Sequence, residues 1–584
     1  MRSATSLLAL LLCPSLTLAQ WTSNPAANTV AVDRAGEQTQ TKMVARPDGG
    51  FYLSWFDNDA GGTPAFGYDV YLQRFDSAGN EMWAHNGVLV ADRGFSSTTD
   101  YDLSIDSSGN ALLAFRDDRP GGTQITAAKI DETGAHVWGA GGIQLTATAS
   151  FVANPEIAGT TDGHAVVAWI QDADVRVQRL DSTGTATWSP DVVLTPATGS
   201  YSTADLAATD AGTVILSLVH GTGGFSAPRY LRAQKFNAAG SPLWGATPLA
   251  VYDGGSLQIG NYPDFVTDGA GGAVFAWYSA SPALESFAQH IDSGGTEQFP
   301  HNGVSVSTNA AQLRVSPAVA FDPVTGSTWV ACVESNSTQS LWGVTAQRYD
   351  ASGNRQMGAT GLVLVPLGAA STAHVTATAL GSNLLATWVS SPAFSQDVAL
   401  GAVVEPGAAV TPVSLATTPS TKYRFSAAAT SFGYAAIAWR DERGADPDIY
   451  IQNVLPSGAL GGLASSVIRN GSGVNGLFYT PVTEPRIGHA WVTDVEHAHH
   501  PGALVTVLQI RTTPVTGPVF GFGQALIAGP KLLVQQLAAT GTSNTHSILL
   551  PADINLVGYT VYTQAGIIGG GLELANAIDI TLGL

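Results

Sequence analysis

Apolar residues along this chain fall in short runs bounded by Gly, Asp, Asn and Pro, the pattern of strands separated by turns. One run occurs in eight versions: GFYLSW ending at Trp55, NALLAF at Phe115, HAVVAW at Trp169, TVILSL at Leu218, GAVFAW at Trp277, STWVAC at Cys332, NLLATW at Trp388 and YAAIAW at Trp439. Their mean spacing is about 55 residues, the length of a four-stranded unit. A second segment follows most of them, Gln-Arg/Lys-apolar-Asp-x-x-Gly, as in QRFDSAG ending at Gly79 and QRLDSTG ending at Gly184. Four residues beyond the glycine stand Trp83, Trp138, Trp188, Trp244 or Phe299, and a short alternating strand comes next. This reads as a hairpin in which the Asp side chain caps the turn and Gly takes a positive φ. A further short strand precedes each apolar run, as in YDLSIDSSGN and YPDFVTDGAG.

Eight four-stranded units predict an all-β fold, an eight-bladed β-propeller. After Gly458 no clear fourth strand follows, whereas Trp21 to Asp33 matches the segment from Trp83 to Asp92, so the N-terminal strand is expected to close the last blade. Seven blades plus an irregular module is the alternative. Beyond about Ser465 the periodicity stops, and alternating strands with turns every ten residues or so predict a small C-terminal β-sandwich. The expected division is therefore a signal peptide over 1–19, a propeller over 20–464 and the sandwich over 465–584.

The signal-peptide reading rests on Arg2, the apolar run from Leu7 to Leu12 and the small residues before Gln20. It implies a protein that is secreted or held at the cell surface. No later run is long enough to span a bilayer. Once the leader with Cys13 is removed only Cys332 remains, so no disulfide within the chain is available. The net charge of −20 opposes phosphate backbones and argues against nucleic acid as a partner, leaving glycans, surface proteins or calcium.

These segments resemble secreted bacterial β-propeller proteins with QxxDxxGxxxW hairpins, distantly similar to the Asp-box of sialidase-type propellers. The strand end Trp439-Arg440-Asp441-Glu442-Arg443 carries part of that likeness. The tail, with LPADINLVGYTVYTQA and LELANAIDITLG, is similar to a C-terminal domain found on diverse exported bacterial proteins. The resemblance implies export and attachment, and no particular reaction.

Candidate chemistry is sparse. Asp57, Asp59, Asp117, Asp441 and Asp448 lie at strand ends near glycines, where carboxylates supply oxygen ligands for calcium or else cap turns and pair with Arg119 and Arg443. His497, His499 and His500 have a density compatible with zinc or copper, or with an exposed turn. Cys332 occupies a slot that other copies fill with Trp, which points to packing. No nucleophile elbow, HExxH helix or phosphate-binding loop stands out. The sequence thus favours a non-enzymatic extracellular binding protein without cofactor, with Phe95, Phe225, Tyr230 and Tyr262 as loop aromatics for sugar. The alternatives are a secreted polysaccharide hydrolase or lyase, marked by acids of raised pKa gathered in one pocket, and a structural surface protein.

Overall fold

β-Branched and aromatic residues in alternation, punctuated by Gly and Asp, give strands at each of the eight apolar runs: Phe51–Asp59, Ala111–Asp117, Ala165–Gln171, Val214–Gly221, Ala273–Ser281, Ser327–Asn336, Asn383–Ser391 and Ala435–Asp441. These lie in the computed structural model of the chain, which describes residues 21–59, 67–94 and 101–584. The segment read as a leader, and Phe95, lie outside the described residues.

Each strand is the second in its own antiparallel sheet. Gly36–Ala45, Phe51–Asp59, Asp69–Phe75 and Val88–Ala91 form one such sheet in chain order, and the next six follow the same course, with a short extra strand in the one containing Ala273–Ser281. The last sheet before the C-terminal region is assembled from both directions of the sequence. Its members are Lys422–Ala429, Ala435–Asp441 and Asp448–Val454, with Thr29–Val32 paired antiparallel to Asp448–Val454.

This topology corrects the expected eight-bladed closed propeller. The described residues form eleven small antiparallel sheets, and no backbone ladder runs from one sheet into another or closes a ring. Neither the eight- nor the seven-bladed form is retained, nor are the propeller and repeat descriptions or the resemblance to propeller proteins with QxxDxxGxxxW hairpins. The supported statement is an all-β chain of separate, mostly four- and five-stranded sheets. The physical reason is that an alternating pattern specifies which strands pair locally, and carries no information on what joins one sheet to another.

Side chains do that joining. The indole N–H of Trp83 donates to the Glu132 carbonyl at 3.0 Å, that of Trp138 to Ser182 at 3.1 Å, that of Trp188 to Ala238 at 3.0 Å and that of Trp21 to Ser77 at 2.8 Å. Each reaches a tight turn of a neighbouring sheet. In the turn after Phe75, Asp76 accepts the backbone N–H groups of Ala78 and Asn80 at 3.0 and 2.8 Å, and Gly79 adopts φ +79° with its α-carbon against the Trp21 ring. A side chain at Gly79 would collide with that ring and strain the backbone as well.

The C-terminal region has a five-stranded sheet of Ser465–Arg469, Leu572–Thr581, Thr560–Ile568, Val505–Pro514 and Ile527–Ala538. A three-stranded sheet of Tyr479–Pro481, Ala490–Glu496 and Ser543–Leu549 and a two-stranded ribbon complete it. One hydrophobic cluster runs through this region and onward, linking Trp491, Ile548, Ile578 and Leu582 with Tyr434, Trp21 and Phe51. Arg486 adds an ion pair to Asp76 at 2.7 Å.

Candidate active site

Six of the first strands carry a register shift near their middle: between Thr39 and Lys42, Ala153 and Glu156, Thr203 and Asp205, Val315 and Ala318, Ala373 and Thr376, and Tyr423 and Ser426. In five of them a non-glycine residue enters the left-handed region, namely Gln40, Asn154, Ser316, His374 and Arg424, at φ +51° to +59°. Such bulges bend a strand and re-aim the side chains that follow, at a local backbone cost.

What they aim at is a cavity of about 610 Å³ lined by Lys42, Asp102, Asp205, Asp264, His374 and Arg424, contributed by six different sheets. A second hollow of about 620 Å³ meets it at Lys42 and Asp264 and is walled by Tyr101, Glu156, Tyr262 and Arg116. Acids occupy equivalent places. Asp102 pairs with Ala114, Glu156 with Ala168 and Asp205 with Ser217, and Lys42 stands opposite Ser54; each partner directly precedes Phe115, Trp169, Leu218 or Trp55. Asp264 lies just ahead of the strand Phe265–Thr267.

The four acids are used differently. Asp102 is engaged, taking Lys42 Nζ at 2.8 Å and the Ile157 N–H at 3.0 Å. Asp205 accepts the N–H of Leu206 at 2.8 Å and that of Phe265 at 3.0 Å, tying two sheets together. Desolvation, then the nearby Asp264 charge, pushes its carboxyl up to about 8 despite those donors. Glu156 is 9% exposed and, among the described residues, has no hydrogen-bond partner; desolvation and the charge of Asp102 hold it well above the usual carboxylate range, only partly offset by Lys42. Asp264 is open to the water of the cavity yet walled by protein, and desolvation raises it too. Desolvation and mutual repulsion thus favour the protonated form among these acids, and their titrations are linked. Burial alone would lower Lys42, but Asp102 and Glu156 together raise it. His374 is lowered by desolvation and by Arg424.

Of the residues singled out from the sequence, Tyr262 reaches the cavity; Asp441 and Asp448 face each other on paired strands elsewhere, and the remaining acids and histidines do not converge. Asp57 is fully buried and bonded to Arg34 at 3.1 Å, Asp117 to Arg119 at 2.8 Å, and Asp441 to Arg443 at 2.6 Å. Asp59 ends its strand, and Asp448 is pushed up to about 6 by desolvation and by Asp33, Asp446 and Asp441. His497 bonds Asn544 at 2.7 Å inside the C-terminal region, and His499 packs on Phe478 with Glu573 3.4 Å away. His500 shares neither partner, its backbone N–H returning to the His497 carbonyl at 3.0 Å. Among the described residues no group of three or more His, Cys, Asp or Glu is arranged to hold a metal ion. Cys332 is completely buried in Ser327–Asn336, its thiol pushed up by desolvation. Of the loop aromatics, Tyr262 reaches the cavity wall, 44% exposed, while Phe225 stands free at 80%. Another hollow, beside His164, Arg179 and Trp188, has its guanidinium taken by Asp162.

No family model matches the chain, and no curated protein does. Solved structures similar to parts of it include a protein of unknown function from Dyadobacter fermentans, 12% identical, covering 52% of this chain and 94% of its own, with a TM-score of 0.29. The polysaccharide lyase Uly1 is 11% identical over 75% of this chain and 97% of its own, with a TM-score of 0.38. An endo-arabinase from Bacteroides thetaiotaomicron is 13% identical over 41% of this chain and 88% of its own, with a TM-score of 0.27. Likeness at these scores carries no argument about fold or activity.

Among the described residues no helix is long and apolar enough to cross a membrane.

Proposed function

We propose that this protein is a polysaccharide hydrolase or lyase whose active site is the acid-lined cavity. The observation that carries the reading is the placement of Asp102, Glu156, Asp205 and Asp264 from successive sheets around two hollows that meet at Lys42 and Asp264, three of these acids having raised pKa. Glu156 is the proton donor, since burial and the charge of Asp102 raise its carboxyl and, among the described residues, no backbone group occupies its oxygens. Asp264, reachable by solvent, is the base or nucleophile. Asp205 is a positioning residue that holds the strand end beside Asp264 through the Phe265 N–H. Tyr262 offers an aromatic face for a sugar ring, and Ser316, Thr376 and Ser426 offer short polar contacts nearby. Export to the medium or the cell surface belongs to the same proposal, because a polysaccharide is met there.

The test is release of reducing ends or unsaturated products from a panel of neutral, amino and uronic polysaccharides. Glu156→Gln and Asp264→Asn are each expected to lower kcat by about 10²-fold or more with folding retained. Turnover on no member of the panel, or turnover unchanged in both variants, rejects the reading.

A second reading is saccharide binding without turnover, with the cavity or the loop face as the recognition surface. It is favoured by Asp102 and Asp205, which both spend oxygens on backbone N–H groups of the adjoining sheet and so serve the scaffold. Binding by both amide variants with unchanged affinity, and no product, would support it.

A further inference from the structure

Charge in the cavity is distributed unevenly. Of its cations, Lys42 is already paired with Asp102 at 2.8 Å. Arg116 stacks on the Phe151 ring, 5.5 Å from its centroid, on the outer wall of the second hollow. Arg424 sits across the cavity beside His374 and Tyr423, in the strand Lys422–Ala429. This leaves Glu156, Asp205 and Asp264 on one side with no cation of their own, on sheets that follow one another around the space. In the other three first strands the equivalent places hold Ala318, Thr376 and Ser426, so the far wall is neutral at that level.

Glu156 is the second observation. It is about nine-tenths buried, no group among the described residues donates a hydrogen bond to it, and it lines the hollow. A buried carboxyl without a partner is costly unless something else meets it. A ligand ammonium group would donate a hydrogen bond to it, would favour the ionised form of the neighbouring acids, and would be drawn toward a chain of net charge −20. A uronic acid would bring a further acid into a space already lined by three and is disfavoured. Since β-elimination needs a uronate, this charge pattern also favours hydrolysis over the lyase reaction.

We infer that the acid-lined side of the cavity receives a cationic sugar, the protonated amine of a hexosamine unit, with Glu156, Asp264 and Asp205 around it. The inference rests on the reading that the cavity takes a saccharide; it specifies which kind.

The experiment is calorimetric titration of the full-length protein with three probes: a β-1,4-linked glucosamine tetramer, its fully N-acetylated counterpart and a uronic acid tetramer. The expected result is that the glucosamine tetramer binds about tenfold or more tightly than the acetylated one, with the preference shrinking as salt is raised. The uronic acid tetramer should bind weakest. Glu156→Gln and Asp264→Asn should each reduce the preference, with melting checked by circular dichroism. Equal affinity for the charged and acetylated tetramers, tighter binding of the uronate or no binding of the glucosamine tetramer overturns the inference, and these comparisons on the wild-type protein hold even if a variant fails to fold. Failure of the enzyme reading looks different: the amine preference appears, yet no polysaccharide is cleaved. Cleavage of neutral polysaccharides without amine preference would keep the enzyme and discard the cation.

Discussion

A carboxyl group that the native protein keeps protonated beyond its ordinary range makes stability depend on pH in a definite direction. Asp205 is pushed up to about 8, while in the unfolded chain it ionises near 3.8. Between those values the native state holds more protons, so the contribution of this group to folding is complete at low pH and is lost as pH rises through 8. Thermal melting followed from pH 4 to 9 is expected to show Tm falling over that window, with the slope reduced in Asp205→Asn. An unchanged slope in that variant would assign the fall to other acids. His85 works over a different range. Desolvation opposes its charge, but bonds to Asp33 at 2.8 Å and Glu81 at 2.9 Å win and raise its pKa above 6.5. Its bridge is therefore fully present below pH 6.5 and weakens as pH climbs through the raised value. His85→Gln should remove that component from the melting profile, and an NMR titration of the ring should give a midpoint above 6.5 in the wild type.

At the level of strands, the pairing of Thr29–Val32 with Asp448–Val454 places Ala31 and Val32 in the same apolar cluster as Ile449 and Ile451, with Trp21 buried just ahead. Removing residues 21–33 uncovers that edge and empties the Trp21 site against Phe51 and Tyr434. A loss of about 5 kcal/mol or more is expected from denaturant unfolding, since truncating one buried Trp alone costs about 3–5 kcal/mol. An equal midpoint for the shortened chain would contradict it. The strands themselves were legible in the sequence, because GFYLSW and its counterparts alternate or run apolar between turn residues, and the Asp-x-x-Gly turns carry their own chemistry. How the sheets join was not, since it depends on indole N–H groups reaching turns, and a carboxylate reaching a strand, about 50 residues away. The site was hidden for a related reason. Asp102, Glu156 and Asp205 each precede an apolar residue within a strand and Asp264 stands just before one, a pattern no different from ordinary strand alternation. Comparing the segments YDL, PEI, ADL and PDF would have shown an acid in one register on consecutive strands. The bulges ahead of Glu156 and Asp205 leave no compositional mark either.

Taken as a whole, the molecule shares one hydrophobic cluster between the C-terminal region and the sheets nearest the chain's beginning, through Phe432, Ile554, Leu556 and Val557. Proteolytic cutting between residues 461 and 471, where Gly461, Gly462 and Gly471 sit in positive-φ conformations, is expected to leave the two fragments associated. Size-exclusion chromatography of the nicked protein should show a single peak at the intact size; clean separation of a tail of roughly 115 residues would show that the shared cluster contributes little. The late partner of Thr29–Val32 also has a consequence in time. More than 400 residues separate the two strands of that ladder, so a ribosome adding about 5–20 residues per second needs on the order of half a minute or more to supply the second after the first. Throughout that interval Trp21 can pack on Phe51 and the turn at Ser77 but not on Tyr434, and Thr29–Val32 waits for its partner strand.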